Sequence, residues 1–182
     1  ATGRKPRIQP DFAEAGFECT GSGEARELAV REEVRDMCAA DKCHAYGTSW
    51  ACPPACGDIW DFQRRMHEHS TFTVVQTVAE LEDEFDGEGM MHAQDVHKER
   101  VFALVDALDA AGLSDAVMVL SAGYCSLCTT CTYPDAPCRF PDKRLVSMEA
   151  AGLIVSDVCT LAGIPYNHGP LTIAYSSCVL YG

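Results

Sequence analysis

Eight of the eleven cysteines fall into two dense groups, Cys38/Cys43/Cys52/Cys56 and Cys125/Cys128/Cys131/Cys138, with none from Gly57 to Tyr124. Cysteine used only as a small apolar core residue would not bunch this way. Thiolates grouped at short spacing bind soft metals, pair as disulfides or serve as redox groups. In the second group Cys125, Cys128 and Cys131 recur at every third position. On a straight helix Cys125 and Cys131 would point ~120° apart, so the segment is expected to curl as a loop around an object rather than lie along a helix.

Three tightly spaced thiolates and a later fourth near a proline resemble the bacterial ferredoxin pattern C-x2-C-x2-C-x3-C-P. The chain departs from it: six residues separate Cys131 from Cys138, and Pro141 lies three residues further on. In two-cluster ferredoxins the last cysteine of the run binds the other cluster, so Cys138 has two candidate destinations. Structural zinc is the competing reading, but zinc sites commonly pair two C-x2-C knuckles across a longer spacer, whereas three cysteines here share one. The spacing therefore favours iron–sulfur. Arg139, Lys143 and Arg144 bring positive charge next to these thiolates, either to stabilise them as anions or as ordinary surface charge.

The first group, Cys38-x4-Cys43-x8-Cys52-Pro-Pro-Ala-Cys56, offers four ligands within a short stretch, and neighbouring members can all reach one centre. Pro53 and Pro54 stiffen the last link and remove two N–H donors. This spacing alone suits zinc and iron–sulfur equally; the second group tips the reading toward iron. His44, beside Cys43, is an alternative ligand or a polar surface residue. Tyr46, Trp50 and Trp60 are expected to shield the site as core.

Recognisable elements must position these loops. Glu24 to Met37 is rich in helix formers and predicts a helix with Val30, Val34 and Met37 on one face, leading to Cys38. Asp58 is placed to cap a second helix carrying Ile59, Phe62 and Met66. Thr71 to Val78 reads as a half-buried strand with threonines on its open side, and Glu80 to Met90, with six acids, as a solvated loop. His92 to Ala111 predicts a helix with Val101, Leu104, Val105 and Leu108 inward, stopped at Gly112. Ala116 to Leu120 suggests a buried central strand running into the second cysteine group. Ser147 and Ser156 are each expected to start a short helix, the second ending at Gly163, and Leu171 to Tyr181 to close the sheet as a strand. The summed pattern is a single α/β domain over 1–182. A small sheet of three to five strands is flanked by helices, with two cysteine-rich metal-binding loops and 1–23 as a candidate flexible segment.

The chain has 182 residues, 47% of them hydrophobic and 23% charged, enough to build one core without cysteine staples. The odd cysteine count, the lack of an apolar secretory start and the lack of a run near ~18 apolar residues predict a soluble cytoplasmic protein with no membrane role. A net charge of −13 repels nucleic acid. Two dianionic clusters would take the charge to about −17, which suits a redox partner protein with a basic docking surface. Cys19, Cys159 and Cys178 are expected as isolated buried small hydrophobes, and His67, His69, His92 and His97 as surface residues of helices. No Gly-rich phosphate loop, G-x-S-x-G elbow or dinucleotide fingerprint is present, so hydrolase, kinase and nicotinamide-dependent functions have no support.

Two signatures carry a wider resemblance. One is Cys43-x2-Tyr46-Gly47-x2-Trp50-x-Cys52-Pro53-Pro54-x-Cys56. The other is Gly123-x-Cys125-x-Leu127-Cys128-x2-Cys131, followed by Pro137-Cys138-Arg139-x-Pro141 and Ser147-Met148-Glu149-Ala150. Together, over roughly Glu27 to Tyr181, they resemble a family of predicted metal-binding proteins found largely in anaerobic microbes and filed as a domain of unknown function. The resemblance implies a cytoplasmic anaerobe protein that binds metal through these cysteines as iron–sulfur clusters, and it supplies no reaction.

Three roles stay open at this point. The chain is an electron carrier or redox accessory protein with two 4Fe–4S clusters closed by cysteine, the reading the two complete ligand sets favour. Alternatively it is an enzyme using an open cluster iron as reductant or Lewis acid on a small substrate, or a structural zinc module.

Overall fold

The computed structural model describes residues 10–182. Of the candidate flexible segment 1–23, residues 1–9, with Lys5 and Pro6, lie outside the described residues. Strand β1 (Cys19–Glu24) leads into helix α1 (Glu32–Ala39), helix α2 (Ile59–Met66), strand β2 (Thr71–Glu80) and helix α3 (Gly87–Ala110). Strands β3 (Met118–Ser121) and β4 (Val146–Ser147), helix α4 (Val155–Leu161) and strand β5 (Thr172–Tyr181) complete the chain. They form one α/β domain around an open five-stranded sheet in the order β1-β2-β5-β3-β4. All pairs are antiparallel except β3 with β4, which run parallel with Leu120 opposite Val146 and Ser121 opposite Ser147.

The two long strands β2 and β5 pair along their full length, from Thr71 opposite Tyr181 to Glu80 opposite Thr172. One face of the sheet, with Phe72, Val74, Leu120, Cys178 and Leu180, packs on α2, α4 and the turn around Met148 to Leu153. The other face, with Val179 and Tyr181, packs on Leu104 and Leu108 of α3 and on Phe12 and Phe17. Alternate residues of a strand point to opposite faces, so a strand covered on both sides must be buried throughout.

That explains where β2 departs from the half-buried strand its alternation suggests: Thr73 and Thr77 are buried too. Their hydroxyls are satisfied inside, Thr73 Oγ1 by Ser22 Oγ at 2.7 Å and Tyr181 Oη at 3.0 Å. Threonine can therefore line a core when partners exist for its hydroxyl.

The helix expected from Glu24 to Met37 is broken. Glu24 ends β1, Ala25–Glu27 make one 3-10 turn, and α1 begins only at Glu32. Long-range bonds hold the extended link between them: Val30 N donates to Gln63 Oε1 at 3.0 Å and Arg31 N to the Gly152 carbonyl at 2.8 Å. Helix propensity is a weak prior and yields to such contacts. Val30 and Val34 are buried as expected, while Met37 is exposed.

Asp58 caps α2 as its position suggests, its carboxylate accepting from Trp60 N at 2.8 Å and Asp61 N at 3.4 Å. Helix α3 starts earlier than its apolar stripe, at Gly87, because Asp86 caps it by accepting from Gly89 N at 2.8 Å. Ser147 starts no helix; it ends β4, and its hydroxyl accepts from Ala150 N at 3.0 Å in a turn. Ile154 rather than Ser156 is the first boundary of α4. Trp60 lies half in solvent instead of in the core.

His97 is the largest correction. Expected on the surface of α3, it is 1% exposed. Its Nδ1 bonds Thr77 Oγ1 at 2.9 Å and its Nε2 bonds Ser177 Oγ at 2.8 Å, tying α3 to β2 and β5. Burial, with the nearby Arg100 charge, pushes its pKa down from 6.5 to about 4. Between those values the unfolded chain binds the proton and the folded one does not, so stability is full above ~pH 6.5 and declines as pH falls toward ~4. The loss reaches ~3 kcal/mol. Urea midpoints at pH 7 and 4.5 should fall further apart in wild type than in His97→Gln, and equal separations would contradict the assignment.

Candidate metal centre

The two cysteine groups arise on different parts of the fold and meet at one end of the sheet. Of the first, Cys38 sits in the last turn of α1, and Cys43, Cys52 and Cys56 lie in the loop between α1 and α2. The second lies in the connection that carries the chain from β3 back to the parallel β4, and Gly123, at φ +71, makes the turn out of β3. In a parallel pair the strand ends point the same way, and the crevice beyond their carboxyl ends is a natural place for a ligand. The Met148 N–H closes that end by donating to the Ser121 carbonyl at 3.1 Å.

None of residues 122–145 is buried, and the segment contains no helix or strand. The expectation of a curled loop is met. A few bonds shape it: Ala136 N donates to the Thr132 carbonyl at 3.0 Å, Thr132 Oγ1 to the Pro137 carbonyl at 2.8 Å, and Arg139 Nη1 to the Thr130 carbonyl at 2.8 Å. Trp50 joins the two loops, its Nε1 donating to the Ala136 carbonyl at 3.0 Å and its ring meeting Tyr133 edge-on with centroids 4.9 Å apart. In the first loop Gly47 N donates to the Pro53 carbonyl at 2.8 Å, and Cys56 N to the Cys52 carbonyl at 3.1 Å.

All four cysteines of the second group line one cleft of about 500 Å³, together with Cys43, His44, Arg139 and Arg144. Three cysteines of the first group, Cys38, Cys43 and Cys52, line a neighbouring cleft of about 380 Å³ with Glu149, Gln94 and Tyr46. Cys43, Ala45 and Tyr124 form walls of both. Cys56 lines a separate cleft with Phe62 and Val119, although it stays within electrostatic reach of Cys52 and Cys38. Its Sγ accepts from Arg35 Nη2 at 3.5 Å and donates to the Ala150 carbonyl at 3.8 Å.

The electrostatics follow the geometry. Burial pushes the Cys38, Cys52 and Cys56 thiols up, and the other thiolates push further: Cys43 and Cys52 on Cys38, Cys43 with Cys125 and Cys131 on Cys52, and Cys52 and Cys38 on Cys56. Cys52 thus feels both groups. Burial alone would lift Cys131 as well, but backbone hydrogen bonds at Tyr133, Trp50 and Thr132, with Arg139 nearby, bring it below the ordinary thiol value. Protein packed around the Glu149 carboxyl raises it above the usual carboxylate range, although its surface opens on the cleft. A cation among such groups reverses their mutual repulsion, so thiols that resist ionising singly become good ligands together.

Among the described residues no three His, Cys, Asp or Glu side chains converge closely enough to hold a single ion. The clefts that the cysteines line measure about 500 and 380 Å³ and open to the surface.

A family model described as "Predicted metal-binding protein (DUF2284)" matches residues 24–181. The chain belongs to this family. The match runs from the last residue of β1 through β5 and takes in both cysteine loops, so metal binding is the coarse property that the family description attaches to this fold. Searches of curated proteins and of solved structures gave no match. Among the described residues no helix is long and apolar enough to cross a membrane.

Cys159 and Cys178 are fully buried as expected, whereas Cys19 is only partly so. His92 is exposed, and His67 Nε2 bonds the Leu28 carbonyl at 2.8 Å. Glu149 was not among the ligand candidates because it lies eleven residues beyond Cys138. An acid set within the apolar run from Leu145 to Ile154 was the available signal.

Proposed function

We propose that this chain is an iron–sulfur protein carrying two 4Fe–4S clusters, one on each cysteine group, and that it serves as an electron carrier or redox accessory protein. The observation that carries this reading is the shared wall: the clefts adjoin through Cys43, Ala45 and Tyr124, and Cys52 lies within electrostatic reach of Cys125 and Cys131. When bound, such clusters supply one-electron transfer at a potential set by ligands, hydrogen bonds and solvent exposure.

The residues divide the work. Cys125, Cys128, Cys131 and Cys138 give the second group a full set of thiolates on one cleft, and Arg139 and Arg144 on its lining offset their charge. Trp50 and Tyr133 pin the two loops so that the groups keep their separation. The acidic surface, with net charge −13, suits a redox partner that presents a basic face, in the reducing cytoplasm that the free thiols fit.

Adjacent clusters couple magnetically. Electron paramagnetic resonance of the fully reduced protein should show resonances broadened by interaction between two centres. Two sharp, independent spectra would contradict the shared wall.

A second reading has an observation of its own, the displacement of Cys56 from the first cleft. A three-thiolate set leaves a position where a small substrate could meet iron, which makes the protein an enzyme. A resonance that shifts on adding cyanide or a small thiol would favour the enzyme over the carrier.

A further inference from the structure

The first cleft presents three thiols, and its fourth side is not cysteine. We propose that the carboxylate of Glu149, rather than the thiol of Cys56, is the fourth protein ligand at the first cysteine group. This rests on the iron–sulfur reading and deepens it.

Three observations lead there. The first is placement. Cys38, Cys43, Cys52 and Glu149 line the same cleft, whereas Cys56 lines a different one on the side of Phe62 and Val119. Glu149 lies two residues beyond the end of β4, at the carboxyl end of the parallel pair, and the Ser147 turn bonds hold its backbone: Ala150 N to Ser147 Oγ at 3.0 Å and Ala151 N to the Ser147 carbonyl at 3.0 Å.

The second is satisfaction. Cys56 already has partners as a neutral thiol, since Arg35 Nη2 donates to its sulfur and its own S–H points to the Ala150 carbonyl. Arg35 is itself anchored by Nε to the Ala150 carbonyl at 3.0 Å and by Nη2 to the Gly57 carbonyl at 2.6 Å. Turning Cys56 into the first cleft would break this arrangement and leave a cation with one partner fewer.

The third is donor chemistry. The other polar side chains on this cleft, Tyr46, Gln94, Tyr124 and Ser147, carry no carboxyl or thiol group. A carboxylate oxygen is the anionic donor available beside three thiolates, and iron accepts it. Oxygen ligation at one iron is also weaker than thiolate ligation, which makes that iron the exchangeable one.

The test uses the full chain, prepared anaerobically, with iron content and Mössbauer spectra as readouts. Wild type should show one iron of the first cluster with the distinct spectrum of an oxygen-ligated site. Glu149→Ala should lose about one iron per chain and convert the first cluster to a three-iron form. Glu149→Cys should keep the iron and remove the distinct subsite, and Cys56→Ser should leave both iron content and spectrum unchanged. Full iron in Glu149→Ala, or a first cluster lost in Cys56→Ser, would overturn the proposal while leaving the two-cluster reading intact. Should Glu149→Ala fail to fold, the wild-type spectrum and Cys56→Ser still decide. A wild-type protein with no iron at the first group would overturn both the proposal and the two-cluster reading.

Discussion

Replacing Cys128 by alanine should halve the metal content, from about eight irons per chain to about four, with a matching loss of acid-labile sulfide. Cys128 is the middle member of the tightest run, and Cys125, Cys131 and Cys138 line the same cleft and, on the proposed reading, already serve as ligands. Cys43 also reaches this cleft, but it is one of only three thiols on the neighbouring one. No spare thiol therefore stands ready. Cys159→Ala is the matched control: this residue is fully buried beneath Gln76, whose Nε2 lies 3.5 Å from its sulfur. That change should cost about 1 kcal/mol of packing and leave the iron untouched. Equal iron in wild type and Cys128→Ala would remove the second group from the metal site.

Removing the metal should loosen both cysteine loops and spare the sheet. Loop stability normally comes from buried apolar contacts, and none of residues 122–145 is buried. A long connection with so little core of its own needs another source of order, and binding free energy supplies it where ligands come from the loop. Amide exchange in 38–57 and 123–144 should rise roughly tenfold or more on complete metal loss. Exchange in β2, β5 and the part of α3 that packs on them should change little, because Leu104 and Leu108 are held by apolar contact with Val179 and Tyr181 of the sheet. Loops that exchange at the same rate with and without metal would show that the protein alone sets their shape.

Much of this arrangement was legible in the residues. The cysteine spacing predicted a curled loop after a strand, and 123–145 is that loop after β3; the strand itself is shorter than 116–120 suggested, next to the sheet edge rather than central, and buried only at Met118 and Leu120 because Ser114–Ala116 form a 3-10 turn. Asp58 declared its helix because an N-cap is a local device, read from a few neighbouring positions. What stayed hidden was decided by partners distant in sequence. Nothing near Val30 or Arg31 announces that Gln63 and Gly152 will take their N–H groups and break a helical stretch. His97 failed the test for a metal pair at i+4, yet that test is silent on a histidine buried between Thr77 and Ser177. Nor could spacing show that Cys56 would turn toward Arg35 while Glu149 turned into the cleft with Cys38, Cys43 and Cys52. Ligand sets counted along a chain assume that every cysteine in a run faces the same way, and side-chain direction is set by the fold around it.

On the proposed reading both cysteine groups hold iron and sulfide as clusters. Quantitation of iron, acid-labile sulfide and zinc in one anaerobically purified sample tests it most directly. About eight irons and eight sulfides per chain in a brown protein is the expected result. Stoichiometric zinc with negligible sulfide would contradict it.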